Sequence, residues 1–422
     1  MSAVPEPILC AWADVTPVFL TSADDAPRQV VLADFDERLY LAELLPRHAE
    51  GKGLLRMHRF STHERTWNLV SEHTIPIRQT SLPPDAPAST DPAAQRQVQD
   101  SLPRLFATVL PASGTSPARL RLDITGPDVT ASVVTEDGTT YRIDRADGGA
   151  DSPLVALRQI CLIGTEIWGV GSLVPVLGES PPKRELVLFR ATSPHAAQWQ
   201  SHPILPTPDA DVDSVCATTG GGGQRFVAVG SPARGFQILR AESPADPNST
   251  WQPVITCGAW KYSMNAEVFA LLEFQGDLVV ASGVTDQQQD RIKSFHRRGF
   301  ELTSLHAAGD WDLLTGTPAY TPVGLRIPLS TQGPGLDDAS SREVQAMIVH
   351  KDALHVASEG INGFKLWRSE DGIAWELLAT PDLSGFRNTT VQSLLSASLG
   401  LARLVKAITP EGHTVYRLHL LL

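Results

Sequence analysis

Four times along these 422 residues an arginine closes an apolar run, a polar turn follows, and a tryptophan comes seven to eleven positions later. The pairs are Arg59 with Trp67, Arg190 with Trp199, Arg240 with Trp251 and Arg368 with Trp375. The surrounding unit is fullest at residues 341–379, SREVQAMIVHKDALHVASEGINGFKLWRSEDGIAWELLA. There, apolar or alternating runs at 344–349, 353–357, 364–368 and 375–378 are parted by a Lys-Asp pair, a Gly-Ile-Asn-Gly loop and an Asp-Gly turn. Short runs of period two joined by tight turns predict four strands of one antiparallel meander.

The same layout returns at 28–70, 154–199, 215–251 and 267–302, and a partial copy follows near the C-terminus. Repeats of this period, each built of four strands, are the mark of a β-propeller. First strands begin near Val30, Val155, Val215, Val268, Val344 and Val391, and the first gap is double the others. A further unit is therefore expected within 100–146, where RLFATVLP, ARLRLDI, TASVV and TTYRI supply four strands. The expected fold is all-β, a single β-propeller domain over 1–422. Its seven four-stranded blades fall near 28–77, 100–146, 153–205, 212–256, 265–312, 341–379 and 388–422. Six or eight blades are also compatible with the spacing. The N-terminal strand is expected to join the last blade, closing the ring and removing an open sheet edge. Residues 80–97 read as a Pro-rich surface loop and 309–339 as an insertion.

Charge narrows the partners. A net charge of -12 and a pI of 5.5 argue against nucleic acid, because phosphate contacts need a basic face. No apolar run reaches the roughly 18 residues of a membrane span. The N-terminal MSAVPEPILCAWADVTPVFL lacks the basic segment of a signal peptide, so no membrane association is expected. Cys10, Cys161, Cys216 and Cys257 are far apart and none has CxxC spacing; they read as buried free thiols of a reducing cytoplasm. The Ala-, Pro-, Leu- and Arg-rich usage suggests a bacterial source.

SEDGIAW at 369–375 resembles the Asp-box turn of sialidase-like propellers. That resemblance implies a structural role, in which Ser and Asp side chains bond turn amides, Gly takes the left-handed conformation and the aromatic fills the space between strands. Nothing in the sequence matches the sialidase arginine triad with its tyrosine nucleophile. The Pro-Leu-Ser and Gly-Pro-Gly stretch at 328–335, ahead of VHKDALHVAS, is similar to bacterial propeller proteins encoded near natural-product genes. In general plan it also resembles the propeller half of the cyanobacterial alkylating enzymes that form carbon–carbon bonds. The calcium-binding repeat domain that precedes the propeller there has no counterpart in this sequence. The resemblance implies a role in secondary metabolism.

Other motifs have plainer readings. The glycines at 220–223 lie between two strands and no Gly-Lys-Ser/Thr follows, so they form a turn and not a phosphate cradle. Asp209, Asp211 and Asp213 have the spacing of a calcium loop, but Ser214 and Gly220 stand where an EF-hand needs Gly and Glu. No metal or cofactor is expected, calcium being the one ion that the spacing would admit. The histidines lack zinc-ligand spacing.

Propeller geometry then says where chemistry would occur. Loops between blades, and those joining a blade's second and third strands, share the mouth of the central channel. The densest of them, AWKYSMNAE at 259–267, places Lys261, Tyr262, Asn265 and Glu267 together. Tyr262 and Glu267 are the expected general bases, and Arg342 is the expected catalytic cation. Lys261, Asn265, Glu343, Arg387, Asn388, Arg28 and Asp286 are expected to bind substrate. Acid, base and aromatic groups around a concave mouth suit a cofactor-independent enzyme for a small molecule. Its reaction would be an alkyl transfer or a lyase- or cyclase-like tailoring step. The alternative is a non-catalytic module that presents its mouth to a protein or glycan, and such a module should show an apolar, aromatic rim.

Overall fold

The computed structural model describes residues 6–21, 29–47, 52–76, 104–110, 112, 118–126, 129–136, 140–145, 154–163, 166–174, 185–191, 199–203, 214–220, 223–243, 249–284, 299–338, 340, 341–360 and 363–421. Through 125–213 the strands are described chiefly by their backbone.

The chain divides into two compact units, Ala26–Ala210 and Met1–Asp25 with Asp211–Leu422. Each is a succession of four-stranded antiparallel sheets in which sequence neighbours pair. The first unit contains the sheets of residues 29–76, 104–145 and 154–203. The second contains those of residues 214–255, 267–315 and 344–378. A fourth sheet joins Arg387–Ala397, Gly400–Ile408 and Thr414–Leu421 to the N-terminal strand Trp12–Asp14. Trp12 lies opposite Leu421 and Asp14 opposite His419. Among the described residues no helix is long and apolar enough to cross a membrane.

Tight turns set these meanders. Asp36 and Glu37, and Lys351 and Asp352, carry φ between 48° and 60°, and Gln275 and Gly276 carry 54° and 86°. Two consecutive positive φ values are those of the two-residue hairpin turn whose twist matches the flanking strands. The Arg-Trp pairs occupy one register. Phe60, Ala191 and Ala241, each one residue after the arginine, lie opposite Trp67, Trp199 and Trp251. In the sheet of residues 344–378, Arg368 lies opposite Glu376, which follows Trp375.

Second strands sit inside their sheets and are apolar on both faces. In Asp277–Gly283, Leu278 and Val280 pack against the sheet of residues 214–255, together with Phe226, Ala228 and Ile238. Val279 and Ala281 turn the other way, to Val344, Leu354, Val356 and Trp367. Alternation of period two thus feeds two neighbouring cores from one strand. Each fully buried Leu or Val contributes about 1.5–3 kcal/mol. In the first unit Leu44, Leu55, Met57 and Ile75 pack on Leu105, Leu122 and Ile124.

The boundary of the expected insertion shifts. Trp311–Thr315 is the fourth strand of the sheet of residues 267–315 and not part of a loop. Its apolar WDLLT sequence pairs with Glu301–Leu305 across a turn at 306–310 that bonds internally. The segment beyond it forms a small hairpin, Ala319–Thr321 with Gly324–Arg326.

Candidate functional site

Two first strands of the second unit, Glu267–Phe274 and Val344–His350, lie against each other. Both slip register near their start, after Val268 and after Val344, and a bulge at that point re-aims the side chains beside it. Glu267 opens the former and Glu343 directly precedes the latter. The second strand Ala353–Gly360 returns to the same place, where the Glu359 amide donates to the Glu343 carbonyl at 2.8 Å. The charges of Glu359, Glu267 and Arg342 therefore all act on Glu343.

The electrostatic result is concentrated on Glu343. Burial, then the charges of Glu359 and Glu267, push its carboxyl up to about 7, with Arg342 pulling the other way. A carboxylic acid that titrates at neutral pH can both take and return a proton.

The segment of residues 256–266 is built differently. Cys257, Gly258, Ala259 and Trp260 carry φ of 53°, 58°, 54° and 66°, one turn of left-handed helix. Left-handed backbone costs non-glycine residues about 1–2 kcal/mol each, so the surroundings must impose it. They do so by backbone bonds. Gly258 donates to the Phe236 carbonyl at 2.8 Å, and Phe236 donates to the Asn265 carbonyl at 3.0 Å. Gly235 passes so close that a Cβ on it would lie 2.5 Å from the Tyr262 carbonyl oxygen.

Glu301 anchors the same segment from within. Its Oε2 is paired with the Lys261 ammonium and accepts from Asn265 Nδ2 at 3.2 Å. Oε1 accepts from the Thr317 amide at 3.0 Å and from its hydroxyl at 2.9 Å. Lys261 and Glu301 side chains are both 6% exposed, a buried ion pair.

The expected site residues thus separate into groups. Glu359, Glu267 and Arg342 stand close enough for their charges to act on Glu343. Lys261 and Asn265 turn inward to Glu301, while Tyr262 stands out with half its surface in solvent. Arg387 and Asn388 open the strand Arg387–Ala397. Arg28 and Asp286 lie outside the described residues, as do the side chains of Arg387 and Asn388 and the aspartates at 209, 211 and 213. Cys10, Cys216 and Cys257 are free thiols. Among the described residues no three of His, Cys, Asp or Glu are placed to hold a metal ion. Sequence reasoning did not single out Glu301, which begins a third strand far from Lys261 and shows its role only in three dimensions.

No protein-family model matches this sequence, and no curated protein does. Solved structures with a similar fold include a puromycin-hydrolysing peptidase of Mycobacterium tuberculosis, with TM-score 0.49 and 10% identity over 98% of this chain and 56% of that one. Another is the Pyrococcus horikoshii acylaminoacyl peptidase, with TM-score 0.49 and 7% identity over 92% of this chain and 51% of that one. A third is the Staphylococcus aureus virginiamycin B lyase, with TM-score 0.45 and 9% identity over 94% of this chain and all of that one. The chain spans about half the length of the two peptidases.

Proposed function

We propose that the sheets are blades of one β-propeller, and that the protein is an enzyme acting on a small molecule where Glu267, Glu343 and Glu359 meet. One observation carries this reading: a carboxyl held near neutrality by burial and two like charges, beside an arginine. Structural carboxylates are normally arranged to stay ionised, whereas a group poised near the working pH suits proton transfer. Glu343 is the general acid–base, Glu267 and Glu359 set its affinity for the proton, and Arg342 steadies negative charge on the substrate or leaving group. Lys261 and Asn265 hold the strained segment through Glu301, and Tyr262 stands beside it as a substrate contact. The chemistry fits a proton-transfer step of a lyase- or cyclase-like reaction, or activation of a nucleophile for alkyl transfer, in bacterial secondary metabolism and in a reducing compartment.

The test is comparative profiling of small-molecule extracts. Wild type should consume at least one compound that Glu343→Gln leaves intact, and the pH profile should bend near about 7, the value at which Glu343 titrates. Turnover that survives Glu343→Gln, or no turnover by wild type in extracts of the source organism, removes the proposal. A second reading, a non-catalytic interaction module, is favoured by the large apolar side chains exposed around Tyr320.

A further inference from the structure

The small hairpin of the second unit has two unlike faces. Its inner face lies on the fourth strand of the preceding sheet: Ala319 is buried, and the Arg326 guanidinium sits 5.3 Å from the centre of the Trp311 ring. Tyr320 and Leu325 are direct cross-strand partners, so they share the opposite face. Leu325, Ile327 and Leu329 continue along alternate positions, and Val323 caps the turn. These residues are 81% (Tyr320), 82% (Val323), 51% (Leu325), 62% (Ile327) and 46% (Leu329) exposed. The left-handed turn Cys257–Trp260 lies against Ala319–Thr321, and just beyond it Tyr262 and Met264 are 53% and 39% exposed.

We propose that this face is where two copies of this chain meet. Size is the first argument. The open parts of these seven residues amount to roughly 800 Å², the share that each partner of a standard interface buries. Scattered apolar residues need no explanation, but a continuous strip of them does. Charge is the second argument. At a net charge of -12, two copies repel each other unless they meet on a neutral surface. Residues 316–336 contain one charged residue, Arg326, and it is paired with Asp310 at 2.6 Å and with Asp312 at 3.4 Å. Apart from that paired arginine the strip carries no charge, so a second copy of itself fits it without a complementary charge. A two-fold axis through the hairpin would set Tyr320 and Val323 against their own counterparts. The competing occupant is a lipid surface, which the acidic chain and the paired Arg326 disfavour at anionic headgroups.

Sedimentation velocity at micromolar concentration tests the proposal. Wild type is expected to be a dimer, and Val323→Asp to weaken it by about tenfold or more. Tyr320→Ser combined with Ile327→Ser is expected to do the same. Leu9→Ser, at a side chain 91% exposed on the N-terminal segment, is expected to leave the dimer intact. All of these positions are solvent-facing, so the variants should keep the wild-type far-UV circular dichroism spectrum. A monomeric wild type overturns the proposal, as does a dimer that resists both hairpin variants. So does a monomer that sediments with neutral phosphatidylcholine vesicles.

Discussion

The guanidinium of Arg403 lies 4.5 Å from the ring centre of Trp12 and 4.6 Å from that of Phe364. Arg403 is fully buried; its Nη2 faces His419 Nδ1 at 3.3 Å, while Nε and Nη1 find no partner among the described residues. Burial alone lowers its proton affinity to about 9. A buried cation without a carboxylate adds little to stability, and an apolar group of similar volume does as well. Arg403→Met is therefore expected to keep or raise Tm. Trp12→Ala is expected to cost about 2 kcal/mol, because it removes packing as well as the stacked ring. Thermal melts of the two variants decide it, and a large loss in Arg403→Met would contradict the account.

Glu343 makes stability depend on pH in a definite direction. Its carboxyl is raised from 4.5 to about 7 in the folded chain, so within that window the folded state binds more protons than the unfolded state. Stability must then fall as pH rises through the window and level off above it. Glu343→Gln should raise stability at about pH 8 by on the order of 2 kcal/mol after solvent screening, with the gain vanishing near about pH 4. Denaturant titrations at the two pH values measure it; an equal effect at both would sink the claim.

The Lys261–Glu301 pair should behave asymmetrically. Glu301→Ala takes the carboxylate away from the buried Lys261 ammonium and frees Asn265 Nδ2 and Thr317 from their acceptor, so a loss of about 3–5 kcal/mol is expected. The double variant Lys261→Met with Glu301→Leu should recover part of that loss. No recovery would show that the carboxylate's other bonds, and not the ion pair, hold the segment.

The turn at 369–375 offers a local test. Asp371 Oδ1 accepts the amides of Ile373 and Ala374 at 2.8 Å each, and Ser369 Oγ accepts that of Gly372 at 2.8 Å. These bonds hold the Asp371 carboxyl below its ordinary range, so their contribution is present at neutral pH and lost on acidification. Gly372 has φ of +75°, which a side chain adopts only with strain. Gly372→Ala is expected to cost about 1 kcal/mol, and Asp371→Ala about 1–2 kcal/mol. Unchanged unfolding midpoints would refute both.

What could be read from the sequence was what local chemistry decides. The Asp36–Glu37 and Lys351–Asp352 turns, the bonding of Ser369–Asp371 and the shared register of Arg59, Arg190 and Arg240 depend on a few neighbouring residues, and the pattern displays them. Glu267 and Glu343 were within reach because strand starts are visible as changes of period. The left-handed turn at Cys257–Trp260 was not, since Gly235 and Phe236 impose it from the loop that precedes the strand Gln237–Ala241. Trp311–Thr315 was hidden in a stretch rich in Gly and Pro. Nor could pattern distinguish the outward Tyr320 from a buried aromatic, because only the pairing with Leu325 and the cover over Trp311 settle which way the hairpin faces.

The pairing of Trp12 with Leu421 sets a timetable for biosynthesis. Some four hundred residues separate the segment around Trp12 from the edge it completes, so the first is synthesised long before the second. Until then that edge, Thr414–Leu421, does not exist, and the waiting indole has to be kept from other hydrophobic company. Slow elongation between the two segments should therefore act on the yield of folded protein before it acts on the finished molecule.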